Sequence, residues 1–170
     1  MSWRSAQGKS WRNGLSRRLA LLGAAAALAA CAMTPAYGPG GAGTALTGRV
    51  QLRDPGDVDT FALNRRLSER LGPEQSAAYA LNYRLTTASV AQGITPDEVT
   101  TRYSLNGTVD FALTEIATGR VITQDRVSSF TSYSAIGTTI ATLTAERDAH
   151  DRLMVMLADQ VVTRLLATVP

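Results

Sequence analysis

Three stretches of the chain alternate apolar with polar side chains, and this period of two limits the fold more than any other feature. They cover residues 79–86, 102–113 and 120–133. Successive side chains of a β-strand point to opposite faces of a sheet, so each stretch predicts a strand that is buried on one side. Turn-forming residues at 91–98 and 117–119 separate the stretches. The sequence therefore predicts a meander of three long strands.

Two other segments carry apolar residues four positions apart, the spacing of one helical face. They cover residues 57–71 and 144–168, and a short strand at 46–52 precedes the first of them. The predicted buried positions are Leu63, Leu67 and Leu71, with Phe61 beside them, and Leu153, Leu157, Val161 and Leu165. The element order predicts an α+β fold, a two-layer sandwich with two helices packed on one face of a four-stranded, mostly antiparallel sheet.

A short apolar segment ends at the only cysteine of the chain. Residues 19–30 are apolar or small, basic residues precede them, and Cys31 follows directly. The segment is shorter than the roughly 20 residues that a membrane-spanning helix needs, so it predicts a cleaved secretory signal. The residues from 28 to Cys31 resemble the bacterial lipobox, which implies that Cys31 is acylated and becomes the new N-terminus. Ala32, standing where an aspartate would resemble an inner-membrane retention signal, indicates the outer membrane.

The composition changes again after the cysteine. Residues 32–45 are mostly Gly, Pro, Ala and Thr, as in a flexible linker. The chain is thus predicted to consist of a signal peptide at 1–30, a lipidated tether at 31–45 and a single domain at 46–170.

Charge is unevenly distributed between these parts. Five of the seventeen basic residues lie in the predicted signal peptide, whereas all fourteen acidic residues follow Cys31. The twelve remaining basic residues are all arginines, and the mature chain is slightly acidic. Nucleic-acid binding therefore loses its main electrostatic support.

The residue types that catalysis and metal binding need are scarce. His150 is the only histidine, and the carboxylates near it in sequence project around a helix instead of converging on one point. No GxSxG nucleophile motif occurs, and the glycine-rich segment in the tether precedes any strand, the wrong context for a phosphate loop. The sequence predicts a non-enzymatic protein without metal or cofactor. A lipoprotein hydrolase would need a serine with a base other than histidine.

Arginines supply the candidate ligand contacts. Arg84 and Arg102 have the same parity on neighbouring predicted strands, so we expect them near one another on the sheet face that the helices leave open. Adjacent guanidinium groups favour a phosphate or a partner's carboxylate. The alternative is a pair with Asp110 or simple solvation. The first helix also carries three arginines that form either a solvated face or a contact with an acidic partner: Arg65, Arg66 and Arg70.

Residues 128–142 contain eight serines and threonines and no charge. Their first part continues the last strand, and residues 135–142 are predicted to connect it to the last helix. An uncharged β-prone segment at a sheet edge invites aggregation unless something covers it. The cover is either the domain's own helix or another protein. The candidate contacts are Ser128, Ser129, Phe130, Thr131, Ser132, Tyr133, Thr138 and Thr139.

Residues 93–122 and 128–165, together with the lipobox, resemble the lipopolysaccharide-assembly lipoprotein family LptE in its alphaproteobacterial form. The resemblance implies a two-layer sandwich that plugs the lumen of the outer-membrane β-barrel LptD, helps that barrel to fold and contacts lipopolysaccharide. It also implies a lipid-anchored protein of the outer membrane, with its domain on the periplasmic side inside the barrel. Residues 91–98 and 128–142 are then the candidate barrel contacts. Arg84 and Arg102 are candidate lipopolysaccharide contacts because of their predicted place on the open face, since no motif of the family aligns with these two positions. An accessory lipoprotein of another envelope lipid transporter is the alternative.

Overall fold

The computed structural model describes residue 38 and residues 41–94 and 100–168, which lie in one compact unit, Ala36–Pro170. Three helices and four strands make up this part of the chain. In order they are α1 (Ala42–Leu46), β1 (Val50–Leu52), α2 (Val58–Leu71), β2 (Tyr79–Ile94), β3 (Thr100–Glu115), β4 (Val121–Ser134) and α3 (Thr139–Thr168). The α+β architecture with a four-stranded sheet is confirmed.

The sheet follows the order of the chain, β1-β2-β3-β4. Strand β1 pairs with β2 in parallel, and the helix between them makes the crossover that a parallel pair requires. The other neighbours are antiparallel, as the predicted meander requires. The turn predicted at 117–119 contains Gly119 with φ of +70°, a conformation that glycine adopts without strain. The sheet is thus mostly antiparallel, as predicted.

Odd-numbered side chains of the long strands form the core with the two long helices. Leu81, Val109 and Leu113 are fully buried with Leu63 of α2 and Leu157 of α3. The four-residue spacing correctly predicted the buried stripes of both helices. Among the described residues, no helix is both long and apolar enough to cross a membrane.

A glycine sets the distance between α3 and the sheet. A Cβ atom on Gly107 would lie 2.8 Å from Leu157 Cδ1 and 2.9 Å from Leu153 Cδ2. Both leucines are fully buried, so their side chains have little room to move aside. The absence of a side chain at Gly107 therefore allows α3 to pack directly on β3.

Several local predictions were wrong. Residues 42–45, assigned to the tether, belong to α1, and Ala42 and Leu46 pack in the core, so the predicted strand begins only at Val50. Helix α3 begins at Thr139, five residues early, and has no acidic residue in its first turn. Strand β2 continues to Ile94, into the predicted turn. Phe61, expected beside the buried leucines, is 59% exposed.

Helix α2 begins with a reciprocal cap. The Thr60 amide donates to the Asp57 carboxylate at 2.8 Å, and the Asp57 amide donates to the Thr60 hydroxyl at 3.0 Å. These two side chains satisfy backbone donors that a helix start leaves without partners. The hydrogen bonds from Thr60 lower the pKa of the Asp57 carboxyl below its usual value of 3.8.

Replacing the capping residue, Asp57→Ala, is expected to lower the free energy of unfolding by about 1 kcal/mol at neutral pH. Because the pKa of Asp57 is lower in the folded chain, the charge-dependent part of this stability is complete above 3.8 and is lost as pH falls through the folded-state pKa. Urea unfolding of both proteins at neutral and at strongly acidic pH should show a smaller difference in acid. An equal stability difference between the two proteins at both pH values would contradict the role of the Asp57 charge. The control is Asp54→Ala, which removes a carboxylate at an exposed site nearby.

Candidate functional site

The two long helices cover only one face of the sheet. We define the open sheet face as the even-numbered side chains within residues 82–90, 102–112 and 124–134, which alternate with the buried ones. It consists of Asn82, Arg84, Thr86, Ala88 and Val90 of β2, Arg102, Ser104, Asn106, Thr108, Asp110 and Ala112 of β3, and Gln124, Arg126, Ser128, Phe130, Ser132 and Ser134 of β4. Most of these side chains are short and uncharged, and no described helix or strand lies over them.

Strand alternation divides the predicted contact residues of β4 between the two faces. Ser128, Phe130 and Ser132 lie exposed on the open sheet face, where Phe130 is 70% exposed. Ser129 and Thr131 point to the helix layer, and the Ser129 hydroxyl lies 3.7 Å from the Met156 sulfur.

Tyr133 also points inward and is only 8% exposed. Its ring stacks on Tyr103 with centroids 5.4 Å apart, and its hydroxyl lies 3.4 Å from a Glu146 oxygen. Thr138 and Thr139 are exposed where α3 begins, and the Thr138 hydroxyl accepts from the Ala141 amide at 3.3 Å. The inward half of the predicted contact set therefore contributes to packing inside the domain.

The strand register separates the two candidate arginines. Arg84 lies opposite Asp110, whereas Arg102 lies eight residues from Asp110 along β3, a distance of about 27 Å. The expectation that Arg84 and Arg102 stand near one another was therefore wrong. The shared parity placed them on one face but did not determine their distance along it.

Arg84 instead belongs to a row of three charges. Asp110 on β3 lies between Arg84 on β2 and Arg126 on β4, and its carboxylate forms an ion pair with Arg126. The hydrogen bond with Asp110 raises the pKa of Arg126. Arg126 was not predicted as a site residue, although its even parity on the last strand would have indicated this face. Beside them, a hollow of about 620 Å³ contains Asn82 and Gln124.

Arg102 lies in a separate hollow of about 470 Å³ near the β2–β3 connection. Its lining includes Ser104 of the same strand and Phe130 and Ser132 of β4. The structure thus brings one candidate lipopolysaccharide contact together with two candidate barrel contacts. A guanidinium group beside an exposed aromatic ring and hydroxyls can bind an anionic group that is attached to an apolar one.

The histidine and two of the α2 arginines that the sequence analysis considered make contacts inside the domain. The His150 Nδ1 lies 2.9 Å from each Asp59 oxygen and so links α3 to α2. Arg66 and Arg70 both contact Asp159, at 3.0 and 3.3 Å. In residues 41–94 and 100–168, no three acidic, histidine or cysteine side chains are grouped to hold a metal ion.

Some predictions lie outside the described residues. They concern the signal peptide predicted at 1–30, the lipidation of Cys31, tether residues 32–37, 39 and 40, and residues 95–98 of the predicted barrel-contact loop. The division of the chain into signal peptide, tether and domain stays a prediction for the same reason.

The fold agrees with solved structures of bacterial lipoproteins. A proposed lipoprotein from Caulobacter crescentus is 21% identical, with 74% of this chain and 93% of that chain covered and a TM-score of 0.62. The rare lipoprotein B from Shewanella oneidensis is 16% identical, with coverages of 71% and 93% and a TM-score of 0.55. At these identities the similarity establishes the fold alone. No curated protein matches the chain. A family model, LptE, described as lipopolysaccharide-assembly, matches residues 53–165.

Proposed function

The chain belongs to the LptE family of lipopolysaccharide assembly, and from this premise we propose that it is a lipid-anchored outer-membrane protein whose domain plugs the LptD β-barrel. The family consists of non-enzymatic accessory lipoproteins, so the chain acts in lipopolysaccharide assembly without catalysing a reaction. The proposal adds the anchor, the barrel partner and the surfaces that meet them.

The observation that carries the plug proposal is the chemistry of the open sheet face. A domain enclosed in a polar lumen loses water from its surface, and a charge that loses water without a partner is costly. Between the row of charges at Asp110 and the hollow at Arg102, this face presents Asn106, Thr108 and Ser128. Hydroxyl and amide groups both donate and accept hydrogen bonds, so they can pair with a polar wall without that cost.

The position of the tether is consistent with such a plug. Helix α1 includes the last four residues of the predicted tether, and the Gly48 amide after this helix donates to the Leu71 carbonyl at the end of α2. The β2–β3 connection and the start of α3 lie at the other end of the long strands. Helix α3, with 30 residues, is about 45 Å long. We propose that acylated Cys31 holds the first end at the periplasmic leaflet while the second end extends into the lumen.

Lipopolysaccharide contact is proposed for two separate places. Arg102 is the stronger candidate, because its hollow also contains Phe130 and Ser132 and so suits a phosphate next to an apolar group. Arg84 faces Asp110, which Arg126 already contacts. An anion at Arg84 would therefore compete with an internal carboxylate.

The proposal is tested by purifying the full-length, C-terminally tagged protein from its own outer membranes in mild detergent. We expect LptD in equal amount, together with bound lipopolysaccharide. With Arg102→Glu we expect about tenfold less lipopolysaccharide per complex, since a charge-assisted contact is replaced by repulsion, while the amount of LptD stays the same. Mass spectrometry measures the amount of copurified LptD, and an assay of lipid A measures the amount of bound lipopolysaccharide.

The matched control is Arg65→Glu, which makes the same charge change at an exposed position of α2 and removes a 4.0 Å surface ion pair with Asp151. It should leave both amounts unchanged. Unchanged lipopolysaccharide with Arg102→Glu would remove Arg102 from the contact. A periplasmic carrier or an inner-membrane transporter in place of LptD would overturn the barrel proposal and favour the accessory of another lipid transporter.

A further inference from the structure

Strand β4 forms one edge of the sheet, and its outer side is unpaired in the described part of the chain. It contains 14 residues, whereas β1, at the opposite edge, contains three. An edge strand presents a row of backbone amide and carbonyl groups that can pair with another strand. Among the described strands, β2 is also unpaired on its outer side beyond Leu81, but there the Arg53 guanidinium donates to the Tyr83 carbonyl, and the strand has register shifts between Ala91 and Ile94. The edge of β4 is therefore one of two long rows of backbone groups that the described strands leave unused.

The register identifies which groups point outward. The Ala135 amide donates to the Thr101 carbonyl at 3.0 Å, and from there the pairing with β3 continues without a shift as far as Thr123. Antiparallel pairs alternate between hydrogen-bonded and non-hydrogen-bonded residues. Odd-numbered residues of β4 thus bond to β3, and the backbone groups of Ser128, Phe130 and Ser132 point outward.

This edge has little of the protection that edge strands usually carry. From Val127 to Ser134 it contains no charge and no proline, and it contains no bulge, the devices that normally prevent edge pairing. One charge approaches it from α3. The Arg152 guanidinium lies 3.5 Å from the Ser132 carbonyl and also forms an ion pair with Asp148.

An apolar hollow of about 460 Å³ runs beside the free edge. Phe130 and Thr131 form its strand side. Val155 and Met156 of α3 form the apolar part of its helix side, and the charged Asp151 and Arg152 complete that side. A strand that paired with β4 would point every second side chain toward this hollow. The hollow can therefore accept an apolar side chain from such a strand.

We propose that β4 binds an extended, uncharged segment of the barrel partner as a fifth strand, with an apolar side chain of that segment in the hollow beside Val155 and Met156. The inference rests on the proposed function for the identity of the partner. A charged residue placed against Ser128 or Phe130 would lose water without a counter-charge from the edge, so the segment that fits is uncharged. A closed barrel has no free edge of its own, so the added strand is a loop or terminal segment that enters the lumen.

The test uses a substitution that removes one outward amide. Ser128→Pro eliminates the Ser128 N–H without affecting the ladder to β3, because proline is tolerated where the amide faces away from the sheet. We expect about tenfold less LptD to copurify with this variant. The matched control is Val58→Pro, which also introduces a proline and removes a backbone amide, but at the exposed first residue of α2, where proline is tolerated. We expect this control to retain LptD within about twofold of the wild type.

A second measurement needs no variant. Hydrogen exchange at the Ser128, Phe130 and Ser132 amides of the wild-type protein should slow by at least about tenfold in the purified complex. Protection there together with loss of LptD from Ser128→Pro supports strand addition. Unprotected amides, or LptD retained by Ser128→Pro, would overturn it while leaving the plug in place. Failure of the wild-type protein to copurify LptD would instead overturn the proposed function.

Discussion

Replacing Gly107 with valine is expected to lower the free energy of unfolding by about 3 kcal/mol, the upper part of the range for overpacked cores. The reason is steric, since even a Cβ atom would lie within 3 Å of Leu153 and Leu157. Strand propensity alone predicts the opposite sign, because valine is favoured in strands and glycine is not. Urea unfolding of the two proteins therefore shows which effect is larger at this position. A lower stability of the valine variant supports close packing, and a higher stability supports strand propensity.

The control for Gly107→Val is Gly56→Ala. A Cβ atom at Gly56 meets nothing within 4 Å, so that variant should stay within about 0.5 kcal/mol of the wild type. The double variant Gly107→Val/Leu157→Ala should lose less stability than the two single changes added together, since the valine occupies part of the space that Leu157 leaves. Unchanged or raised stability for Gly107→Val would mean that α3 can move away from β3 without cost.

The sequence predicted which face a strand residue occupies better than its position along that face. Period-two alternation correctly separated Leu81 and Val109 from Arg84 and Asp110. The register between two antiparallel strands depends on where the connection between them lies. Whether a residue has an even or an odd number carries no information about the position of that connection. Arg102 follows the β2–β3 connection closely, whereas Arg84 lies ten residues before the end of β2. The two arginines therefore could not be neighbours.

Helical spacing likewise predicted the buried stripes but not all positions around them. Phe61 stands two residues before Leu63, which is about 200° around a helix with 3.6 residues per turn, and so it lies on the exposed side. The start of α3 was missed because Ile140 and Leu143 are exposed and add nothing to the buried stripe. Local backbone bonds, such as that from the Thr142 amide to the Thr138 carbonyl, define that start.

Helix α1 gave no periodic signal at all. It has five residues, its Gly41 cap makes no side-chain hydrogen bond, and its composition is that of a linker. Isolated helices of this length are unstable, so tertiary contacts hold this one in place. Its burial of Ala42 and Leu46 supplies those contacts.

The substitution Leu46→Ala measures how much that burial contributes. Leu46 is fully buried, so we expect a loss of about 3 kcal/mol from the lost apolar contacts and the cavity that remains. Leu143→Ala is the matched control, because the same atoms are removed from a side chain that is 49% exposed, and it should cost less than about 1 kcal/mol. Urea unfolding measures the stability of both variants.

The comparison of the two variants decides whether α1 belongs to the core. If Leu46→Ala changes stability no more than Leu143→Ala does, α1 contributes nothing to the core, and the domain begins after it, close to the boundary predicted from composition. A large loss would instead mean that α1 is part of the core, so that the domain begins before the boundary at residue 46 that composition predicted.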